Sequence, residues 1–148
     1  MEIAGLPLHP LVVHAAVVFG PLAALAALAY VFLPRYRDRL RWVTLALTLI
    51  AFVTIWAAYL TGTNFFASDR FDGFSGEALD RIETHEGYAM TLRWIVTGFA
   101  LATGAATWQH NRPGTLRTAL NVLVVIGALA TLVWVGLTGD AGARAVWA

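Results

Sequence analysis

Apolar residues occur along this chain in four long runs that are separated by shorter polar segments. The runs cover residues 11–33, 42–60, 88–108 and 119–137, and each approaches the roughly 20 apolar residues that a helix needs to cross a bilayer. The pattern predicts an all-α integral membrane protein, a four-helix bundle that forms a single domain over residues 1–148.

The composition supports a membrane location and narrows the chemistry. Of the 148 residues, 59% are hydrophobic and only 13% are charged, whereas a soluble domain has about a quarter charged residues. The lipid bilayer is therefore the first expected partner, and a net charge of +1 gives no reason to expect a nucleic acid. The absence of Cys excludes disulfides, thiolate metal sites and covalent haem attachment, which leaves His, carboxylate and Met as ligands.

The charged residues between the runs predict the orientation of the protein. The two short loops, residues 34–41 and 110–117, are basic, whereas the long loop between the second and third runs carries six acidic residues against two Arg. Because positive loops stay on the cytoplasmic side, we expect a multi-pass protein of the cytoplasmic membrane with both termini on the outer side.

The long loop also contains a helical pattern. Ser75 has a side chain suited to capping a helix, and Leu79 and Ile82 share one helical face. These residues predict a short amphipathic helix that lies on the outer surface, separate from the third span.

A tripeptide repeat indicates internal duplication. Leu-Thr-Gly ends the second run at residues 60–62 and recurs at residues 137–139. His14 lies 47 residues before the first of these threonines, and His85 lies 53 residues before the second. The arrangement predicts two related helical hairpins around a pseudo-two-fold axis along the membrane normal, each with a histidine at the outer end of its first helix.

The histidines near the first and third runs are the strongest candidates for a site. An ionisable residue inside a span is costly and usually faces the protein interior, and His14 meets that condition. Pro10 is expected at the first helical position, which places His9 at the cap, rotated by about 140° from His14. The two residues therefore cannot chelate one ion together, and His85 on the third helix is the predicted partner of His14.

Two histidines that face each other across a bundle suit a b-type haem. His14 and His85 are the predicted axial ligands, since cofactor sites form between facing helices and such a haem needs two histidines with apolar walls. Arg93, about 12 Å deeper on the third helix, either extends to the outer interface or binds a haem propionate or a quinone oxygen. Met90 is a further candidate ligand. Only one haem is expected, because His110 has no second histidine at its end.

Three stretches carry a resemblance to a known family. "GLPLHPLVVHAAVVFGPLAAL", "HEGYAM" and "LTGDAGARAVW" resemble the bacterial family of predicted membrane proteins described as domain of unknown function 2231. The resemblance covers nearly the whole chain and implies a four-helix membrane domain. Some members are joined to Rieske-type iron–sulfur domains, which implies a redox role. Because this chain has no Cys, its redox partner is expected to be another polypeptide or a small molecule.

The leading hypothesis is a small membrane protein that uses a b-type haem to transfer electrons near the outer face of the bacterial cytoplasmic membrane. A quinone or a membrane redox protein is the expected partner. The sequence displays no activated nucleophile, phosphate loop or intramembrane carboxylate pair, so an electron carrier or accessory subunit is expected rather than a stand-alone enzyme.

Two other hypotheses belong to different classes. The first is copper or zinc binding or transport at the outer mouth by His9, His14 and His85, with Glu86 as a further ligand, because imidazole suits both metals. The second is a non-catalytic subunit of a larger membrane complex, in which the histidines only form hydrogen bonds between helices. Faces rich in small residues leave room for a homo-oligomer.

Overall fold

The computed structural model describes residues 2–3, 6–67 and 75–147, and four long helices dominate it. These are α1 (Leu8–Phe32), α2 (Arg37–Phe66), α3 (Glu77–Trp108) and α4 (Thr115–Trp147). Each is long and apolar enough to cross a membrane. The prediction of an all-α, four-helix membrane protein is therefore confirmed, and every helix begins before its predicted apolar run.

Short elements lie at the start of the chain and between the first two helices. β1 (Glu2–Ile3) and β2 (Leu6–Pro7) form a two-residue antiparallel pair directly before α1. A single turn of 3-10 helix, Pro34–Tyr36, connects α1 to α2. The proline fits there because its fixed φ suits the first position of a helix and its missing N–H costs nothing.

The prediction of a separate amphipathic helix before the third span is wrong. α3 runs without interruption from Glu77 to Trp108, so the amphipathic segment is the first part of the spanning helix. Gly76, with a left-handed φ of 61°, precedes the helix in place of the predicted Ser75 cap. An ion pair between Glu77 and Arg81 on neighbouring turns stabilises this start. Residues 68–74 of the predicted loop lie outside the described residues.

The bundle core is built from small residues that face large ones. A Cβ on Gly20 would lie 3.0 Å from Cγ2 of Val135, and a Cβ on Gly127 would lie 3.0 Å from Cβ of Phe99. These distances are shorter than normal packing allows, so glycine lets the neighbouring helices approach closely. Because lipid is as apolar as the core, such close packing is the main force that holds membrane helices together.

The buried positions repeat at constant offsets along the chain. Five buried residues of α1 have buried counterparts 76 positions later in α3: Ala16 and Leu92, Gly20 and Val96, Ala23 and Phe99, Ala27 and Thr103, Tyr30 and Ala106. Four of α2 have counterparts 80 positions later in α4: Thr44 and Val124, Thr48 and Ala128, Ala51 and Thr131, Ile55 and Val135. The relation between two hairpins stays a prediction, which these offsets support.

Side-chain contacts define two ends of the bundle. At the terminal end, where α1 begins and α4 ends, His9 contacts the end of α2, and His85 contacts α4. At the basic end, Tyr30 near the end of α1 contacts His110 in the turn after α3. Both ends therefore carry buried or half-buried histidines.

Candidate functional site

His9 is held between α1 and α2 at the terminal end. Because α1 begins at Leu8, His9 lies within the first helical turn and not at the cap, and Pro10 is the third helical residue. The half-buried imidazole places Nδ1 3.0 Å from the carbonyl oxygen of Ala58. A carbonyl oxygen only accepts, so Nδ1 donates its proton and Nε2 keeps its lone pair.

His85 has the same arrangement between α3 and α4. Its Nδ1 donates to the carbonyl oxygen of Thr138 over 2.9 Å, so its Nε2 also keeps a lone pair. Each imidazole packs against a glycine of the neighbouring helix. A Cβ on Gly62 would lie 2.9 Å from Cε1 of His9, and a Cβ on Gly142 would lie 3.0 Å from Cε1 of His85.

These contacts follow the same offsets as the buried core. His85 lies 76 positions after His9, and Thr138 and Gly142 each lie 80 positions after Ala58 and Gly62. The two imidazoles therefore occupy corresponding positions. They have the same tautomer, and each donates to a backbone carbonyl at a corresponding position of the neighbouring helix.

The two rings face one small cavity. Their centroids are 6.4 Å apart and their planes are inclined by 66°. Two imidazole nitrogens bound about 2.0 Å from one metal ion would place their ring centroids roughly 6 Å apart. The cavity has a volume of about 60 Å³ and is lined by all four helices. Apart from the histidines, Tyr59 and Thr138 supply its polar side chains.

Of the His, Cys, Asp and Glu side chains that the structure describes, only the two imidazoles line this cavity. Across residues 2–3, 6–67 and 75–147, no group of three or more His, Cys, Asp or Glu side chains is placed to hold a metal ion. Any ion bound here would have two protein nitrogens as its ligands, and a third position would be open to a water or an exogenous molecule.

The predicted inward orientation of His14 is wrong. Its side chain is exposed, and its Nδ1 donates to the carbonyl oxygen of Pro10 in its own helix over 2.6 Å. The five-residue spacing rotates His9 and His14 about 140° apart, so only one of them can face the bundle. That residue is His9, and the structure brings it, rather than His14, together with His85.

Arg93 occupies a cage of aromatic rings between α2 and α3. Its guanidinium carbon lies 4.0 Å from the ring centroid of Tyr59 and 5.3 Å from those of Trp56 and Trp94. Cation–π attraction from three rings offsets part of the cost of a cation at membrane depth. The predicted anionic partner stays a prediction, and Met90 is exposed. Tyr59 lines both the cage and the cavity.

The basic end holds a polar chain that the sequence did not predict. The buried imidazole of His110 places Nε2 2.7 Å from Oδ1 of Asp38 and Nδ1 3.0 Å from the hydroxyl of Tyr30. From the sequence, His110 was expected only to lack a histidine partner at its end of the bundle. The available signal was weak: Asp38 is the single acid within the arginine-rich segment 34–41.

The fold and the paired histidines define a membrane-embedded four-helix protein with a small imidazole-lined cavity at one end. The chain belongs to the family described as predicted membrane protein (DUF2231), whose model matches residues 5–148. The resemblance noted in the sequence is thereby confirmed. No curated protein and no solved structure matches the chain.

Proposed function

We propose that this membrane protein binds a transition-metal ion between His9 and His85 at the terminal end of the bundle. The observation that carries the proposal is the matched tautomer of the two rings. Each Nδ1 is fixed by a backbone carbonyl, which leaves each Nε2 a lone pair, and both rings line the same cavity. Metal-binding histidines are commonly oriented in this way, because a hydrogen bond to the other nitrogen fixes both tautomer and ring direction.

The chemistry of the cavity favours copper in its singly charged state. Imidazole binds zinc, copper, iron and nickel. Two neutral imidazoles leave the charge of the ion uncompensated, and an uncompensated charge in an apolar site is unfavourable. A singly charged ion carries less of this cost than a divalent one, so Cu⁺ suits His9 and His85 better than Zn²⁺.

The predicted b-type haem fits this cavity poorly. Pockets that enclose drug-sized molecules measure roughly 300–1,000 Å³, whereas the cavity between the rings measures about 60 Å³. Its walls are mainly aliphatic, and its volume suits a few water molecules or a bare ion. Electron transfer to a quinone or to a membrane redox protein stays a prediction, and the test below also detects haem.

Metal analysis of detergent-purified protein tests the proposal. After incubation with Cu⁺ under reducing conditions and removal of unbound metal, we expect one copper ion per chain. His9→Ala and His85→Ala should each lose it, because a single imidazole cannot retain the ion. His14→Ala is the matched control and should keep it, since His14 lies outside the cavity.

Three results would overturn the copper site. Equal copper content in the wild type and in both cavity variants would indicate adventitious binding. A low-spin haem spectrum in protein from haem-sufficient cells would replace the proposal with the cytochrome hypothesis. Wild-type protein that binds neither would favour the accessory-subunit hypothesis. Circular dichroism checks that each variant is folded, and His9→Gln replaces His9→Ala if the alanine variant is not.

A further inference from the structure

We propose that His110 is a proton-binding site at the basic end of the bundle, connected to water through Asp38 and backed by the hydroxyl of Tyr30. The inference does not depend on the metal site. The side chain of Asp38 is 93% exposed, whereas that of His110 is only 5% exposed. Tyr30 is fully buried. The three residues therefore form a continuous hydrogen-bonded chain from the surface into the protein.

The neutral imidazole satisfies every member of this chain. The ionised carboxylate of Asp38 only accepts, so Nε2 of His110 carries the proton and donates it over 2.7 Å. Nδ1 then has a lone pair, and the hydroxyl of Tyr30 donates to it over 3.0 Å.

The protonated imidazole is satisfied equally well. With a proton on both nitrogens, His110 donates from Nε2 to Asp38 and from Nδ1 to the hydroxyl oxygen of Tyr30. The tyrosine hydrogen must then find another acceptor, and the carbonyl oxygen of Ala106 lies 3.4 Å from the hydroxyl. One proton is gained from water, and the only rearrangement is rotation of one hydroxyl hydrogen.

The second acceptor, the carbonyl oxygen of Ala106, distinguishes a proton-binding site from a purely structural contact between helices. A clamp between helices requires one satisfied hydrogen-bond pattern, whereas His110, Tyr30 and Ala106 provide two, one for each charge state of the imidazole. A buried polar group without a partner is costly, so a site that stays satisfied in both states can change its charge without local unfolding.

The charged groups around the site act in opposite directions. Asp38 carries a negative charge in contact with the imidazole, whereas three arginines carry positive charges close to Tyr30. Arg37 donates to the carbonyl oxygens of Tyr30 and Val31. Arg117 donates to the carbonyl oxygen of His110. Arg41 is near enough to Tyr30 to act on it electrostatically. Because Asp38 contacts the ring directly, its removal should weaken proton binding most.

The protein interior continues to be polar beyond Tyr30. Three threonines are buried with hydroxyl groups that have no hydrogen-bond partner among the described residues: Thr48, Thr103 and Thr131. Thr103 lies three residues, or about 4.5 Å along α3, deeper than Ala106. Most other threonines of the bundle instead donate to a carbonyl of the preceding turn.

Nitrogen NMR of ¹⁵N-histidine-labelled full-length protein in micelles, recorded over roughly pH 8 to 5, tests the site, since an imidazole changes charge in this range. We expect His110 to pass from the form protonated at Nε2 to the form protonated at both nitrogens. In Asp38→Asn the proton affinity should fall, which moves the transition to lower pH, because the neutral amide no longer places a negative charge beside the ring. Asp38→Glu keeps the carboxylate and should therefore keep the transition at the wild-type pH.

The control is Asp140→Asn, which removes an exposed carboxylate from an ion pair with Arg144 on α4 and should leave His110 unchanged. A wild-type His110 that keeps one charge state throughout the series would overturn the proposal. An unchanged transition in Asp38→Asn would equally overturn it, because Asp38 would then not act on the imidazole. If Asp38→Asn does not fold, the transitions of Asp38→Glu and Tyr30→Phe test the site instead. Equal transitions in wild type and Tyr30→Phe would count against the site.

Discussion

The two ends of the bundle use the same side chain in different ways. At the terminal end, His9 and His85 each have one nitrogen occupied by a backbone carbonyl and one lone pair beside an apolar cavity. At the basic end, both nitrogens of His110 have hydrogen-bond partners, a carboxylate and a hydroxyl. A free lone pair suits a metal ion, whereas two polar partners suit a proton.

The comparison shows that the partners of each nitrogen indicate the chemistry better than burial does. His110 is the most buried histidine, yet it has no lone pair available to a metal when Tyr30 donates to it. His9 is only half-buried, but its free nitrogen has no competing donor in the cavity wall apart from hydroxyl groups.

The largest expected effect is that a single substitution at one end abolishes copper binding while a single substitution at the other end leaves it unchanged. His85→Gln should abolish copper binding, whereas His110→Gln should leave the copper content of the protein unchanged. The cause is distance, because 25 residues of α3 and the following turn separate the two positions along the bundle. Metal analysis of both variants checks this. Loss of copper in His110→Gln would show that the two ends are not independent.

The next effect concerns stability at the basic end. Tyr30→Phe preserves the shape of a fully buried ring but leaves Nδ1 of His110 without its donor. A buried polar atom that loses its partner destabilises a protein by about 1–3 kcal/mol. Unfolding in graded detergent mixtures measures the change in the free energy of unfolding. Tyr36→Phe is the control, since Tyr36 is exposed in the loop after α1.

A smaller effect is expected where the glycines contact the rings at the terminal end. Gly142→Ala would place a Cβ 3.0 Å from Cε1 of His85, so the ring must shift and its nitrogen must leave the optimal position for the metal. We expect roughly tenfold weaker copper affinity, equivalent to about 1.4 kcal/mol. Gly136→Ala on the same helix is the matched control, because nothing lies within 4 Å of its added Cβ. Equal affinities in both variants would count against a fixed ring.

The helices were predictable because a bilayer demands long apolar segments with internally satisfied backbones. This demand leaves a clear pattern, and the four runs located every spanning helix. The polar extensions were not predictable in the same way. Residues 77–87 show a helical pattern that indicated a separate surface helix, yet they continue α3 because no proline interrupts them and Glu77 pairs with Arg81 on the next turn.

The tripeptides that predicted a repeat do not share the register of the buried positions. The Leu-Thr-Gly tripeptides are 77 positions apart, whereas the buried positions of α2 and α4 are 80 apart. Three residues correspond to nearly one helical turn, so identical letters indicated the right helices at the wrong depth. A better signal was present: His9 precedes Thr61 by 52 residues and His85 precedes Thr138 by 53, which favours His9 over His14.

The polar chain at the basic end left almost no trace in the sequence. Asp38 and His110 are 72 residues apart, each near the end of an apolar run. Their contact depends on how the turns after α1 and α3 bring the helix ends together. A local sequence pattern does not predict that geometry. The same residue types at the same positions would also suit two independent surface groups.

The smallest expected effect concerns the cation between the two ends. Arg93→Lys keeps the charge but loses the planar guanidinium that lies against Tyr59, Trp56 and Trp94, so stability should fall by about 0.5–1 kcal/mol. Copper content should not change, because Arg93 does not line the cavity. Arg144→Lys, in an exposed pair with Asp140, is the control and should leave stability unchanged. Loss of copper in Arg93→Lys alone would instead mean that the cage positions Tyr59 for the metal site, and the terminal end would then extend deeper into the membrane than the two imidazoles indicate.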